Sequence, residues 1–160
     1  MKLIARKNFL LTLCVLALAV LCFLSVYSPM RFEEKQASRE REVKERLVSI
    51  RQAEEQYRKL HGTYTGDFAE LVRGGFLADS LTYIPYSDGK RFELSATVVE
   101  MKSGIQEPRM ECGAQYQQYL DGMDENSISN LIEAANKAGK YPGLRIGGLE
   151  ETNNNAGSWE

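Results

Sequence analysis

From Phe9 to Tyr27 the chain reads FLLTLCVLALAVLCFLSVY, about 19 residues without a charge. This run constrains the chain more than any other feature, because an apolar segment of roughly 20 residues matches the hydrocarbon core of a bilayer. A cleavable secretory leader shares the basic start MKLIARK. A leader, however, has a shorter apolar stretch of about 7–15 residues and a small-x-small exit, whereas SVYSPMRF places Pro29 directly after the only candidate pair, Val26 and Ser28. Leu21 before Cys22 likewise argues against a lipoprotein site. The expectation is an uncleaved transmembrane helix over residues 9–28, with Phe9, Leu10, Leu16, Leu18, Leu21, Phe23, Leu24 and Tyr27 as membrane-anchor residues in contact with lipid. Lys2, Arg6 and Lys7 precede the run, while Arg31, Glu33, Glu34 and Lys35 follow it with no positive excess. Basic flanks stay on the cytoplasmic side. Residues 1–8 are therefore expected inside the cell, and everything after the span outside the inner membrane, in the periplasm where a second membrane exists.

Setting aside Lys2, Arg6 and Lys7 from the 20 basic residues leaves 17 against 22 acidic ones, a formal net of −5. A mildly acidic domain is a poor fit to nucleic acid, whose binding rests on neutralising phosphates. Cys14 and Cys22 lie in the apolar run, and Cys112 is alone in the remainder, so no disulfide framework is available to the domain. Cys112 reads either as a buried thiol or as one half of an intermolecular bridge.

Residues 30–61 contain neither Gly nor Pro and read as one helix. Its first part, 29–42, is polar all round and forms a neck. From residue 43 onward Val43, Leu47, Ile50, Ala53, Tyr57 and Leu60 recur at steps of three and four and form one apolar stripe. That stripe either packs on its own domain or pairs with a second copy as a short coiled coil. Val43, Leu47, Ile50 and Tyr57 are accordingly candidate interaction residues. Gly62 stops the helix, and Asp67 caps a short one over DFAELV, closed by Gly74 and Gly75. Tyr83–Tyr86 carries a strand signal, Ser87-Asp88-Gly89 a turn, RFELSATVVEM a strand, and Ile105 to Tyr116 its return, with Pro108 confined to an edge or bulge. Asp124 or Asn126 caps a further helix, SISNLIEAANKAG, before a short extended YPGLRIGG. The domain is expected over 43–150. The tail 151–160 reads as polar and unstructured, except that Trp159 is suited to docking in a groove of its own domain or of a partner.

The order of an apolar helix, a polar then amphipathic continuation, RQAEEQYRKLHGTY with a short helix after it, and the hairpin around Tyr86-Ser87-Asp88-Gly89 and Phe92–Ala96 resembles type IV pilins and the pseudopilins of type II secretion. The resemblance covers residues 8 to about 100. It implies an α+β, pilin-like fold: a transmembrane helix continuing into a long amphipathic helix, packed on a small antiparallel sheet with one or two additional short helices. Two departures stand out. Asn8 occupies the place of the Gly before a prepilin cleavage site, and Leu13 that of the Glu at the fifth mature position.

No catalytic constellation emerges. His61 is the sole histidine, and its place at a helix end suits the helix dipole. Glu107, Glu111, Asp121, Asp124 and Glu125 lack calcium-loop spacing, and neither Gly74-Gly75 nor Gly147-Gly148 has phosphate-loop neighbours. No cofactor or metal is expected. The function expected is that of a non-catalytic, single-pass envelope component that contacts other envelope proteins or itself. The alternative is a periplasmic ligand- or glycan-binding or sensing domain that uses Tyr83, Tyr86, Tyr116 and Tyr119.

Overall fold

The computed structural model describes residues 2–101, 104–151 and 153–160; within the first helix the side chains of 2–8, 10 and 23–30 fall outside the description. The chain divides into two compact units, Met1–Ala37 and Ser38–Glu160. The second begins several residues before the expected 43 and takes in the tail. Helix α1 runs Lys2–His61 and passes through Pro29, where the missing N–H removes one i→i−4 bond.

In the first unit the described side chains Phe9, Leu11, Leu13, Val15, Leu16, Leu18, Val20 and Leu21 are all between 56% and 69% exposed. They occupy every face of the helix. The side chains of Leu10, Phe23, Leu24 and Tyr27 lie outside the described residues. Among the described residues no helix is long and apolar enough to cross a membrane.

The second unit is α+β. After α1 come α2 (Phe68–Arg73), a 3-10 turn (Asp79–Thr82), β1 (Glu93–Glu100), β2 (Gln106–Gln115), α3 (Tyr116–Tyr119), α4 (Glu125–Lys137) and β3 (Gly143–Gly147). The strands form an antiparallel sheet in the order β1-β2-β3. Register places Ala96 opposite Met110, Leu94 opposite Cys112, Cys112 opposite Ile146 and Ala114 opposite Leu144. Since alternate residues of a strand share a face, these side chains form one apolar layer, and Met110, Cys112, Ala114, Leu144 and Ile146 are buried. The opposite face is polar, with Arg145 paired to Glu111 at 3.2 Å.

On α1, Val43, Leu47, Ile50 and Ala53 are at most 1% exposed and join this core. Burying a Val, Leu or Ile side chain contributes about 1.5–3 kcal/mol each, so the stripe is a principal support of the unit. The stripe ends sooner than expected: Leu60, at 72% exposed, faces solvent. Arg39 secures the start of the unit. Its guanidinium donates to the carbonyls of Tyr119 at 3.0 Å and Asp121 at 2.8 Å and lies 4.5 Å from the centre of the Tyr86 ring.

Local signals account for most boundaries. Gly62 adopts φ +81° and donates to the Arg58 carbonyl, closing α1. Asp67 accepts from the Ala69 N–H and Asp124 from the Ser127 N–H, capping α2 and α4. Pro108 falls in the part of β2 that pairs with β1 beyond the reach of β3, so no second ladder needs its missing donor. Tyr83–Tyr86 differs from expectation. It contributes only a bridge from Tyr83 to Arg91, because Tyr86 and Asp88 take positive φ and turn the chain.

The tail is ordered by backbone pairing. Ser158 donates to the Arg145 carbonyl at 2.8 Å, Gly147 donates to that of Ala156 at 3.1 Å, and Gly157 bridges Ile146. Residues 156–158 thus cover the outer edge of β3, which would otherwise present unpaired groups. Arg51 adds a tie from α1, donating to the Asn155 carbonyl at 3.1 Å and to the Glu160 carboxylate at 3.0 Å.

Candidate interaction site

Three of the expected interaction residues present no surface. Val43, Leu47 and Ile50 are fully buried in their own domain. Tyr57 is half-buried. Its ring stacks on His61 at 4.2 Å and meets Phe76 edge-on at 5.8 Å, while its hydroxyl donates to Glu70 at 2.9 Å. That donated bond raises the Tyr57 pKa. Bonds from Thr65 and then Tyr57 hold Glu70 below the usual carboxylate range. Tyr57 therefore joins the end of α1 to α2.

Trp159 is different. It is half-buried and forms one wall of a groove of about 600 Å³. The floor comes from α4 and its C-cap, where Leu131, Ala134, Ala135 and the capping Ala138 fall at steps of three and four on one side. Small side chains there leave the space open. Tyr116 and Tyr141 add aromatic surface. Burial first, then Glu93 and Glu111, pushes the Tyr141 hydroxyl up to about 12, so it remains protonated. Three cations border the groove. Lys44 lies 5.7 Å from the centre of the Trp159 ring and 3.6 Å from Glu40, Arg145 lies 5.5 Å from that of Tyr141, and Lys140 is exposed. Near Tyr116, Tyr141 and Glu40 sits Tyr119, fully buried, with a hydroxyl that has no hydrogen-bond partner among the described residues.

The four tyrosines of the ligand-binding alternative do not converge. Tyr116 lines this groove, Tyr119 is core, the Tyr83 hydroxyl accepts from Arg91 at 3.0 Å, and Tyr86 is held against α1 by Glu42 and Arg39. A second cavity of about 510 Å³ is bordered by Arg58, Lys59, Tyr64, Arg109 and Asn153–Asn155. Its arginines are committed: Arg109 to Glu107 at 2.7 Å and to the carbonyls of Leu149 and Glu150, Arg58 to the Tyr64 hydroxyl at 2.9 Å.

Glu54 escapes the sequence reading and is the most unusual group in the unit. It is fully buried four residues after Ile50, accepts one bond from the Thr65 N–H at 3.0 Å, and its other oxygen has no partner among the described residues. Burial, with Glu70 adding to it, outweighs the Thr65 bond and pushes its pKa up to about 7. Cys112 is buried nearby, and burial, then Glu54, drives its thiol well above the usual range. A thiol so held is a poor nucleophile. His61, exposed and stacked on Tyr57, shows no contact with it.

Four of the five acidic residues have separate local partners, and Glu125 opens α4. Glu107 binds Arg109, Glu111 binds Arg145, Asp121 accepts from the Gly122 N–H and Asp124 caps α4. Among the described residues no group of three His, Cys, Asp or Glu side chains is placed to hold a metal ion. Compared with protein-family models, characterised proteins and solved structures, the chain matches none.

Proposed function

We propose that this chain is a non-catalytic, single-pass membrane protein of the bacterial envelope. Its α+β unit lies outside the inner membrane and acts through contacts with other envelope proteins or with a second copy. The observation that carries the reading is the apolar sleeve of α1: eight large side chains from Phe9 to Leu21, all exposed, on every face of the helix. Water-facing helices keep their apolar residues to one stripe, and a helix apolar all round is stable only when covered. Lipid is the cover proposed here, over the full uncharged run from Phe9 to Tyr27. Lys2, Arg6 and Lys7 before that run orient the N-terminus inward. The order of helix and then antiparallel sheet supports a pilin- or pseudopilin-like architecture. Leu13, in place of the registering Glu, favours a permanent tether over a filament core.

Crosslinking in intact cells, followed by solubilisation and size analysis of the full-length protein, tests the assembly role. The expected result is a discrete higher-mass species that contains an envelope protein or a second copy. A strict monomer with no crosslinked membrane partner contradicts it.

A further inference from the structure

We propose that the Trp159 groove docks an extended acidic segment of a partner protein, one that sets an apolar side chain between its carboxylates. The inference rests on the reading of the chain as a contact-making protein and adds the chemistry of the partner. Charge is the first support. Lys44, Lys140 and Arg145 border the groove against Glu40 in its lining and Glu111 beside Arg145, three cations to two acids, in a chain whose net charge beyond the N-terminal basic residues is −5. This local inversion selects an acidic partner and repels a basic one. Lys44 and Arg145 already have Glu40 and Glu111. Lys140 is exposed and has no ion pair among the described residues, so it is the cation ready for a new carboxylate.

Shape and floor give the second support. A volume of about 600 Å³ over Leu131, three alanines and aromatic walls accepts apolar side chains. A flat lipid surface does not enter such a concavity. The third support is main-chain accounting. Ser158 and Ala156 already bond to β3 at Arg145 and Gly147, so the tail occupies that edge and recognition falls to side chains rather than to strand addition. Apolar side chains on the floor, with a carboxylate at Lys140, follow from this arrangement.

Trp159 is the sole tryptophan of the chain, so its fluorescence reports the groove directly. Full-length protein in neutral-detergent micelles is titrated with a short synthetic peptide in which Asp and Glu alternate with Leu and Phe. The expected result is a saturable change in Trp159 emission that weakens with salt and is weakened about tenfold or more by Lys140→Glu. A peptide with Lys in place of the acids is expected to bind at least about tenfold less well. Lys140 is exposed, so the fold tolerates the change, and an unaltered melting curve verifies this. The proposal is overturned by the absence of a saturable change, by equal binding of the basic peptide, or by an unweakened Lys140→Glu variant. An emission change that follows protein concentration without peptide, accompanied by a crosslinked dimer, also overturns it and assigns the groove to a second copy. If the titration fails while the same protein still partitions into lipid vesicles, only the groove assignment falls; loss of partitioning removes the underlying reading.

Discussion

Replacing Glu54 by Gln perturbs a single ionisation at the centre of the domain. The carboxyl is fully buried, its pKa is pushed up to about 7, and one N–H, that of Thr65, bonds to it. Because the folded-state pKa exceeds the unfolded value of about 4.3, the native state holds the proton more tightly between those two values. Stability therefore falls as pH rises from about 4.3 to about 7, and the loss is complete above that window. A shift of roughly 2.5 units at 1.36 kcal/mol each corresponds to about 3 kcal/mol. Gln keeps the acceptor for Thr65 and cannot ionise, but it buries an amide without a full set of partners, at about 1 kcal/mol. The variant is thus expected to be less stable than wild type by about 1 kcal/mol at pH 4 and more stable by about 2 kcal/mol at pH 8. Guanidinium unfolding of the full-length protein in micelles, followed through Trp159 fluorescence across that range, measures both. A wild-type pH slope preserved in the variant, or a variant weaker than wild type at pH 8, would refute the reasoning.

Leu47→Ala removes a fully buried core side chain and should cost about 2–5 kcal/mol, whereas Leu60→Ala, at an exposed position, should stay within about 0.5 kcal/mol; denaturant midpoints compare them. Gly147 has φ +71°, and an added Cβ would meet the Met110 carbonyl, so Gly147→Ala should lower the melting temperature by an amount equivalent to about 2 kcal/mol or more. With Cys14 and Cys22 changed to Ser, Cys112 should resist maleimide until denaturant is added and then react fully; rapid labelling of the native protein would contradict its burial.

The amphipathic part of α1, the caps at Asp67 and Asp124 and the β1-β2 pairing follow from spacing and short-range chemistry, so the α+β class was legible in the sequence. What escaped depended on partners distant in the chain. Glu54 falls in the stripe, four residues after Ile50, and that placement was the available signal of a buried carboxylate. The tail looked unstructured by composition because its order comes from backbone bonds to β3 and from Arg51, neither of which composition records. The groove was half-legible. Trp159 pointed to docking, but the alanine floor of α4 and the gathering of Lys44, Lys140 and Arg145 exist only after α1, α4 and β3 come together.

The central claim is that the sleeve from Phe9 to Leu21 is covered by lipid. Reconstitution of the full-length protein with lipid vesicles, flotation, and an alkaline carbonate wash test it most directly. Wild type should float and resist the wash, while Leu16→Arg with Leu18→Arg, which places two charges in the apolar run at a cost of about 2.5–3.5 kcal/mol each, should move protein to the soluble fraction. Wild-type protein that remains in the aqueous fraction, monomeric without detergent, would contradict the account.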